Sequence, residues 1–105
     1  METKADIEQA RLVAPIFGHV GDGNFHVIVL VMIDDVDEVA CAREFVDRLA
    51  ERALAMEGTC IGEHCIGQGK KRFLEAEHGR PSVEAMRAIK LALDPRGIMN
   101  PGKIV

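Results

Sequence analysis

Aromatic side chains and positive charge are both scarce in this chain. It contains no tryptophan and no tyrosine, and only four phenylalanines occur among its 105 residues. Thirteen basic residues stand against 17 acidic ones, which gives a net charge of −4. A nucleic-acid-binding surface combines clustered basic residues with aromatic rings on which bases stack. The composition therefore predicts that nucleic acid is not a partner.

Long apolar runs and paired cysteines are lacking as well. The longest mainly apolar run, Phe25 to Ile33, is far shorter than the roughly 20 residues of a membrane-spanning helix. The charged N-terminus has no apolar segment typical of a signal peptide. Three cysteines, Cys41, Cys60 and Cys65, do not have the number or spacing of a disulfide framework. These absences predict a cytoplasmic chain with reduced thiols and no membrane span.

The first half of the chain predicts two strands and a long helix. Arg11 to Phe17 has the pattern of a short strand, and a glycine-rich turn follows at Gly18 to Asn24. Phe25 to Ile33 is apolar on both alternating faces, so this strand needs a cover on each side. Asp35 is a candidate N-cap, with Glu38 three residues later. Apolar residues then recur at helical spacing, and Gly58 is the expected left-handed cap. They are Val36, Val39, Ala40, Val46, Leu49, Ala50, Ala53 and Leu54.

The second half predicts mainly helices. Thr59 to Ile61 is a candidate third strand, and helices are expected over Lys70–Ala76 and Ser82–Leu93. Asp94 to Gly97 has the residues of a type I turn. The tail, Ile98 to Val105, is apolar enough that we expect it to dock. The predicted fold is a single α+β domain with a small antiparallel sheet backed by helices. Its sheet-and-helix part covers residues 11–67, and its helical part covers 70–105.

Two polar clusters are candidates for a functional site. His19 and His26 bracket the glycine turn, so a hairpin with residues 20–25 as its loop would place them opposite each other. Two imidazoles converging on one ion suit zinc, and Glu63 offers a third ligand with one coordination position left open. His64 would then be available as a general base. The alternatives are a polar hairpin with half-exposed histidines and a surface loop at Glu63 and His64. Lys70, Lys71 and Arg72 are expected to form a solvated helix face.

Three motifs in order resemble one enzyme family over nearly the whole chain. They are His19-Val-Gly-Asp-Gly-Asn-Phe-His26, Gly62-Glu-His-Cys-Ile-Gly67 with Lys70, and Leu93-Asp-Pro-Arg-Gly-Ile-Met-Asn-Pro-Gly-Lys103. The match is to the C-terminal part of FAD-linked oxidases of the vanillyl-alcohol oxidase type. This group includes D-lactate dehydrogenase, glycolate oxidase and D-2-hydroxyglutarate dehydrogenase. The resemblance implies that the fold is half of a ferredoxin-like cap domain.

The resemblance also implies roles for individual residues. His19, His26 and Glu63 are similar to the ligands of a divalent metal, zinc or manganese. His64 is similar to the base that takes the proton of the substrate's 2-hydroxyl while hydride passes to the flavin. Asn24 and Asn100 are similar to residues that face the substrate or the flavin. The implied partners are a small 2-hydroxy acid substrate and a flavin-binding domain or subunit.

The chain departs from the family pattern in two respects. The family usually has glycine where Cys65 stands, so a side chain or an altered backbone angle lies beside the proposed base. The FAD-binding domain is absent from these 105 residues. The first hypothesis is therefore a C-terminal portion of a flavin-dependent D-2-hydroxy acid dehydrogenase, inactive alone. The alternative is a small non-enzymatic domain that forms a homodimer through the two-sided apolar strand, with or without a bound divalent metal.

Overall fold

The computed structural model describes residues 1–62 and 64–105, with the backbone alone at Val20. The described part contains four α-helices and one two-stranded antiparallel sheet, which confirms the α+β prediction. It divides into two compact units, Met1–Arg52 and Ala53–Val105. The elements are α1 (Glu2–Ala10), β1 (Ile16–Phe17), β2 (His26–Val27), α2 (Val36–Ala55), α3 (Leu74–His78) and α4 (Arg80–Leu93), with 3₁₀ turns at Val20–Asp22 and Lys71–Phe73.

The first unit is built on a β-hairpin. Phe17 pairs with His26 and Ile16 with Val27, and an isolated bridge between Val13 and Leu30 continues the same register. The regular part of this strand, His26–Val27, is thus shorter than the predicted strand over residues 25–33. Alternation along this segment still separates two faces. Val27, Val29 and Val31 pack against the core of the unit, whose buried residues are Ile7, Leu12, Ala42 and Phe45.

The opposite face of the hairpin is uncovered. Val13, Ile28 and Leu30 are 64%, 48% and 55% exposed, and neighbouring Met32 is 71% exposed. The sequence predicted a strand that is apolar on both sides and a single helix to cover it. Within the described residues of the first unit, one side is covered and the other is open to solvent, as that prediction implied.

Helix α2 begins as predicted and ends one residue earlier than expected. The carboxylate of Asp35 accepts hydrogen bonds from the backbone N–H groups of Asp37 and Glu38, at 3.1 and 3.0 Å. At the other end, Glu57 has the left-handed φ of 59°, and Gly58 donates to the carbonyl of Ala53. This bonding pattern is a Schellman motif with Glu57 at the left-handed position. The prediction that Gly58 holds that position is wrong.

The buried face of α2 also differs from the predicted one. Val36 is 78% exposed and Val46 is 39% exposed, whereas Phe45 is fully buried. The core contacts follow the spacing of Ala42, Phe45 and Leu49, which share one helical face. Phe45 sets this face because it is the largest apolar side chain on the helix and removes the most area from water.

Helix α1 was not anticipated from the sequence. Its nine residues, Glu2–Ala10, are mostly polar, but Ile7 and the carboxylate of Asp6 are buried. Asp6 accepts from Arg48 Nη2 at 2.7 Å and from Arg52 Nη2 at 2.9 Å, both on α2. The hydrogen bond with Arg48 lowers the pKa of Asp6, although burial opposes the shift. These charge-assisted bonds fix α1 against α2.

The second unit is mainly helical, as predicted. Helix α4 begins at Arg80, two residues before the predicted start, with Pro81 in its first turn, where a missing N–H costs nothing. The predicted short helix is a 3₁₀ turn followed by α3. The predicted strand at Thr59 to Ile61 is wrong, because these residues have no strand structure. The core contains Ile66, Leu74 and Val83, with Val105 packed against it.

The end of the chain docks through its backbone. The Ile104 N–H donates to the Gly67 carbonyl at 2.8 Å, while Ile98 and Met99 remain mostly exposed. Gly97 donates to the Asp94 carbonyl at 3.0 Å, which closes the predicted turn. The Asp94 carboxylate accepts from the N–H groups of Ile98 and Met99 and from Lys90. The hydrogen bond with Lys90 is the main cause of the lowered pKa of Asp94.

Candidate metal and substrate site

The hairpin brings three of the predicted site residues, His19, Asn24 and His26, to its turn end. Asn24 donates its N–H to the His19 carbonyl at 3.2 Å, and Asp22 donates to the same carbonyl at 2.9 Å. His19 therefore lies opposite Asn24, and His26 lies opposite Phe17. The prediction that His19 and His26 face each other directly is wrong. In this register they occupy diagonal positions, which in a regular ladder have Cβ atoms roughly 7–8 Å apart.

Gly18 permits this close approach of the two strands. A Cβ at this position would lie 2.7 Å from the Cα of Phe25, and the φ of Gly18 is 147°. A larger residue would force the strands apart just before His19. On the neighbouring pair, the ring of Phe17 stacks on that of His26 with centroids 5.4 Å apart and an interplanar angle of 25°. This stacking limits the orientations open to the His26 imidazole.

The second cluster lies in the loop of residues 60–70. Glu63, the predicted third metal ligand, lies outside the described residues. His64 is exposed in a turn, and Cys65 follows it with a φ of 58°. That left-handed conformation favours glycine. Cys65 thus has a conformation that glycine adopts readily, so the altered backbone angle is not seen and the departure adds a side chain beside the proposed base.

Both ends of this loop are held by side chains. Lys70 Nζ donates to the Cys60 carbonyl at 2.5 Å, so the prediction that Lys70 is a solvated residue is wrong. Glu77 on α3 accepts from the Cys60 N–H at 3.4 Å and from the Cys60 thiol at 3.2 Å. Ile66 is buried in the core of the unit. These contacts fix the segment that carries His64.

The Cys60 and Glu77 pair has shifted pKa values. Burial, followed by the hydrogen bond to the Glu77 carboxylate, raises the pKa of the Cys60 thiol to about 11. Burial alone would raise the pKa of Glu77, but hydrogen bonds from Thr59 and Cys60 outweigh it and the pKa is lowered. At neutral pH the pair is a protonated thiol donating to a carboxylate. It is a structural contact, because a protonated, buried thiol is a poor nucleophile.

The sequence did not single out Glu77, which is an ordinary helix residue in its local context. Lys70 belongs to the second family motif, but the sequence did not predict its hydrogen bond to the Cys60 carbonyl. Asn24 is half-buried on the hairpin, and Asn100 is exposed in the C-terminal segment with a φ of 47°. The predicted site residues are divided between the two units. His19, Asn24 and His26 belong to the first unit, and His64 and Asn100 belong to the second.

The donor atoms near the turn are those of a metal site in part. His19 and His26 supply two imidazoles at the turn end of the hairpin, and zinc and manganese accept such donors. Among the residues that the structure describes, no three His, Cys, Asp or Glu side chains form a group that could hold an ion. Two members of the predicted set thus lie at the same end of the hairpin, and the third, Glu63, lies outside the described residues. No helix in the described part is long and apolar enough to cross a membrane.

Comparison with known proteins gives the same family across the chain. The family described as FAD linked oxidases, C-terminal domain, matches residues 1–104. The chain is 51% identical over 105 residues to a protein named probable D-lactate dehydrogenase, mitochondrial, from Danio rerio, covering all of this chain and 21% of that protein. It is 48% identical over 103 residues to D-lactate dehydrogenase [cytochrome] 1, mitochondrial, from Saccharomyces cerevisiae, covering 98% of this chain and 17% of that protein.

A bacterial protein of different name is similar as well. The glycolate oxidase subunit GlcD of Bacillus subtilis is 40% identical over 88 residues, covering 84% of this chain and 19% of the subunit. The chain thus spans about a fifth of the length of these curated relatives. Because the family match extends over residues 1–104, the chain belongs to the family of FAD-linked oxidase C-terminal domains.

Proposed function

We propose that the chain is the metal- and substrate-binding C-terminal portion of a flavin-dependent D-2-hydroxy acid dehydrogenase, acting on a substrate of the D-lactate or glycolate type. The observation that carries this proposal is the family match over residues 1–104, and the hairpin register, which brings His19, Asn24 and His26 to the turn end, supports it. FAD would be bound by a flavin-binding domain or subunit outside these 105 residues. The chain alone would be inactive.

His19, His26 and Glu63 would hold a zinc or manganese ion in this function. When bound, the ion supplies a Lewis acid for the hydroxyl and carboxylate oxygens of the substrate, and FAD supplies the hydride acceptor. His64 would accept the proton of the substrate hydroxyl. Asn24, two residues before His26, would donate a hydrogen bond from its side-chain amide to a substrate or flavin oxygen. Asn100 would face the flavin from the C-terminal segment.

A chimeric enzyme tests the dehydrogenase proposal. The corresponding C-terminal fifth of the Danio rerio relative is replaced by this chain, and reduction of a dye by D-lactate is measured. We expect activity in the chimera, none in the relative truncated before this segment, and none in this chain alone. His64→Gln should lower kcat by about 10²–10⁴, whereas His78→Gln should leave it unchanged. An active His64→Gln chimera, or an active isolated chain, would contradict the proposal.

Metal analysis tests the ligand set without the flavin. The purified chain is equilibrated with zinc or manganese, dialysed and assayed for bound metal. About one equivalent is expected for a mononuclear site, with loss in His19→Ala and in His26→Ala and retention in His78→Ala. Retention of metal in His19→Ala would remove that histidine from the proposed ligands. Absence of metal from the parent chain would contradict a site preformed in these residues.

A second function is favoured by the uncovered hairpin face. We propose that the isolated chain forms a homodimer through the face containing Val13, Ile28 and Leu30, since apolar patches of this kind are commonly buried by association. Sizing measurements at micromolar concentration should give a dimer, and Leu30→Lys should give a monomer. Leu93→Lys, at a residue that is 77% exposed elsewhere, is the matched control. A monomeric parent chain would exclude this function.

The cysteines of the chain bear on its cellular compartment. We propose the cytoplasm because three cysteines without disulfide spacing favour a reducing compartment. The Danio rerio and Saccharomyces cerevisiae relatives are named mitochondrial. Fluorescence imaging of the tagged gene product in its own cells is the test. A mitochondrial signal would reject the cytoplasmic assignment.

A further inference from the structure

An open cleft in the second unit combines positive charge with an apolar wall. It has a volume of about 330 Å³, at the lower end of the range of small-ligand sites. One face of the last turns of α4 contributes Arg87, Lys90 and Leu91. The turn after the helix and the end of the chain complete the lining with Asp94, Pro95, Arg96, Gly97 and Val105.

Two charges of the cleft neutralise each other. Lys90 Nζ lies 2.5 Å from the Asp94 carboxylate and also donates to the Met99 carbonyl. Asp94 accepts the Ile98 and Met99 N–H groups at 3.0 and 2.9 Å as well. This network closes the end of α4 and pairs the Lys90 charge with that of Asp94. It also holds the turn that carries Arg96 in a fixed position.

The two arginines of the cleft have no such partner. Among the described residues, no carboxylate lies within ion-pair distance of Arg87 or Arg96, and neither guanidinium makes a side-chain hydrogen bond. With the terminal carboxylate of Val105 included, the groups that line the cleft carry a net charge of +1, in a chain whose net charge is −4. Guanidinium groups present several N–H donors in a planar fork that fits the oxygen atoms of phosphate and carboxylate groups.

We propose that this cleft binds a small oxyanion, a phosphate or carboxylate group, between the guanidinium groups of Arg87 and Arg96. Leu91, Pro95 and Val105 form an apolar wall that suits a short hydrocarbon portion of the same ligand. The site shares no residue with the hairpin face or with His64. Asn100, which is proposed to face the flavin, does not line the cleft either.

Nuclear magnetic resonance titration of the ¹⁵N-labelled chain tests this site. Inorganic phosphate and butyrate are added separately while sodium chloride keeps the ionic strength constant. We expect saturable shifts confined to the amides of residues 87–97 with at least one of the two probes. Saturation by phosphate alone would identify a phosphate site, and saturation by butyrate alone would identify a carboxylate site with an apolar neighbour.

Single variants determine whether the arginines hold the anion. Arg87→Gln and Arg96→Gln should each weaken binding about tenfold or more, because each loses a charge-assisted contact. Arg43→Gln changes an exposed arginine of α2 and should leave the affinity unchanged. The dispersed amide spectrum of each variant reports that it remains folded. Shifts that never saturate with either probe, or an Arg87→Gln/Arg96→Gln chain that binds as tightly as the parent, would overturn the proposal.

Discussion

Replacement of Asp6 by asparagine should destabilise the first unit. Asp6→Asn keeps the size of the side chain but removes the charge that joins α1 to α2. The carboxylate accepts from Arg48 Nε at 3.1 Å to each oxygen, from Arg48 Nη2 at 2.7 Å and from Arg52 Nη2 at 2.9 Å. Its side chain is only 10% exposed, so water does not replace these bonds in the folded chain.

The magnitude follows from these contacts. Hydrogen bonds to charged groups contribute about 1.5–3 kcal/mol each, and breaking a buried ion pair costs about 3–5 kcal/mol. The side chain of Arg48 is 43% exposed and that of Arg52 is 23% exposed, so both guanidinium groups regain part of their hydration in the variant. We therefore expect a loss of about 2–3 kcal/mol in the free energy of unfolding at pH 7.

The pH dependence gives an independent check. The pKa of Asp6 is lowered in the folded chain by the hydrogen bond with Arg48. Its stabilisation is therefore complete above the unfolded-state pKa of about 3.9 and is lost as the pH falls through the folded-state value. The stability difference between the parent chain and Asp6→Asn should shrink below about pH 4.

Urea unfolding followed by far-ultraviolet circular dichroism measures both effects. Glu44→Gln is the control, because Glu44 lies 4.0 Å from Arg48 but is exposed, and its removal should cost less than about 1 kcal/mol. Equal stabilities of Asp6→Asn and the parent chain at pH 7 would refute the reasoning. So would a difference that grows as the pH is lowered below 4.

Three further predictions concern the helix ends, the core and the loop. Glu57→Gly should raise the free energy of unfolding by up to about 1 kcal/mol, because Glu57 has a φ of 59°; Glu51→Gly, on the exposed side of α2, should lower it by about 1 kcal/mol. Phe45→Ala should destabilise by about 3–5 kcal/mol in the same urea assay, since Phe45 is fully buried. Glu77→Gln should lower the pKa of the Cys60 thiol from about 11 while burial keeps it above its ordinary value, measured as the pH dependence of thiol alkylation with the other cysteines replaced by serine. An unchanged thiol pKa would show that Glu77 does not act on Cys60.

Local sequence signals predicted the elements whose causes are local. Asp35 caps α2 through bonds to residues two and three positions later, and this spacing is visible in the sequence. The glycine turn also predicted the hairpin. The predicted loop, residues 20–25, was too long. Several residues between His19 and His26 can adopt turn conformations, so the sequence does not determine the register. The backbone hydrogen bonds to the His19 carbonyl determine it in the structure.

The features that were missed depend on contacts distant in the sequence. Helix α1 is docked by Arg48 and Arg52, which lie more than 40 residues after Asp6. Lys70 bonds a carbonyl ten residues earlier, and Glu77 reaches Cys60 from another element. Neither pairing has a recurring spacing or composition that would distinguish it from solvated charges. The family motifs identified the proposed site residues but contained no information on these supporting contacts.

The hairpin register connects the core of the first unit to its proposed chemistry. Val27, Val29 and Val31 alternate with His26, Ile28 and Leu30 along one segment. An insertion of one residue in the turn after His19 would rotate the whole segment, placing the imidazole of His26 in the core and the valines in water. The length of the turn, residues 20–23, thus determines both the packing of the valines and the position of His26. A variant in which the register shifts would lose core packing and two of the proposed metal ligands in the same step.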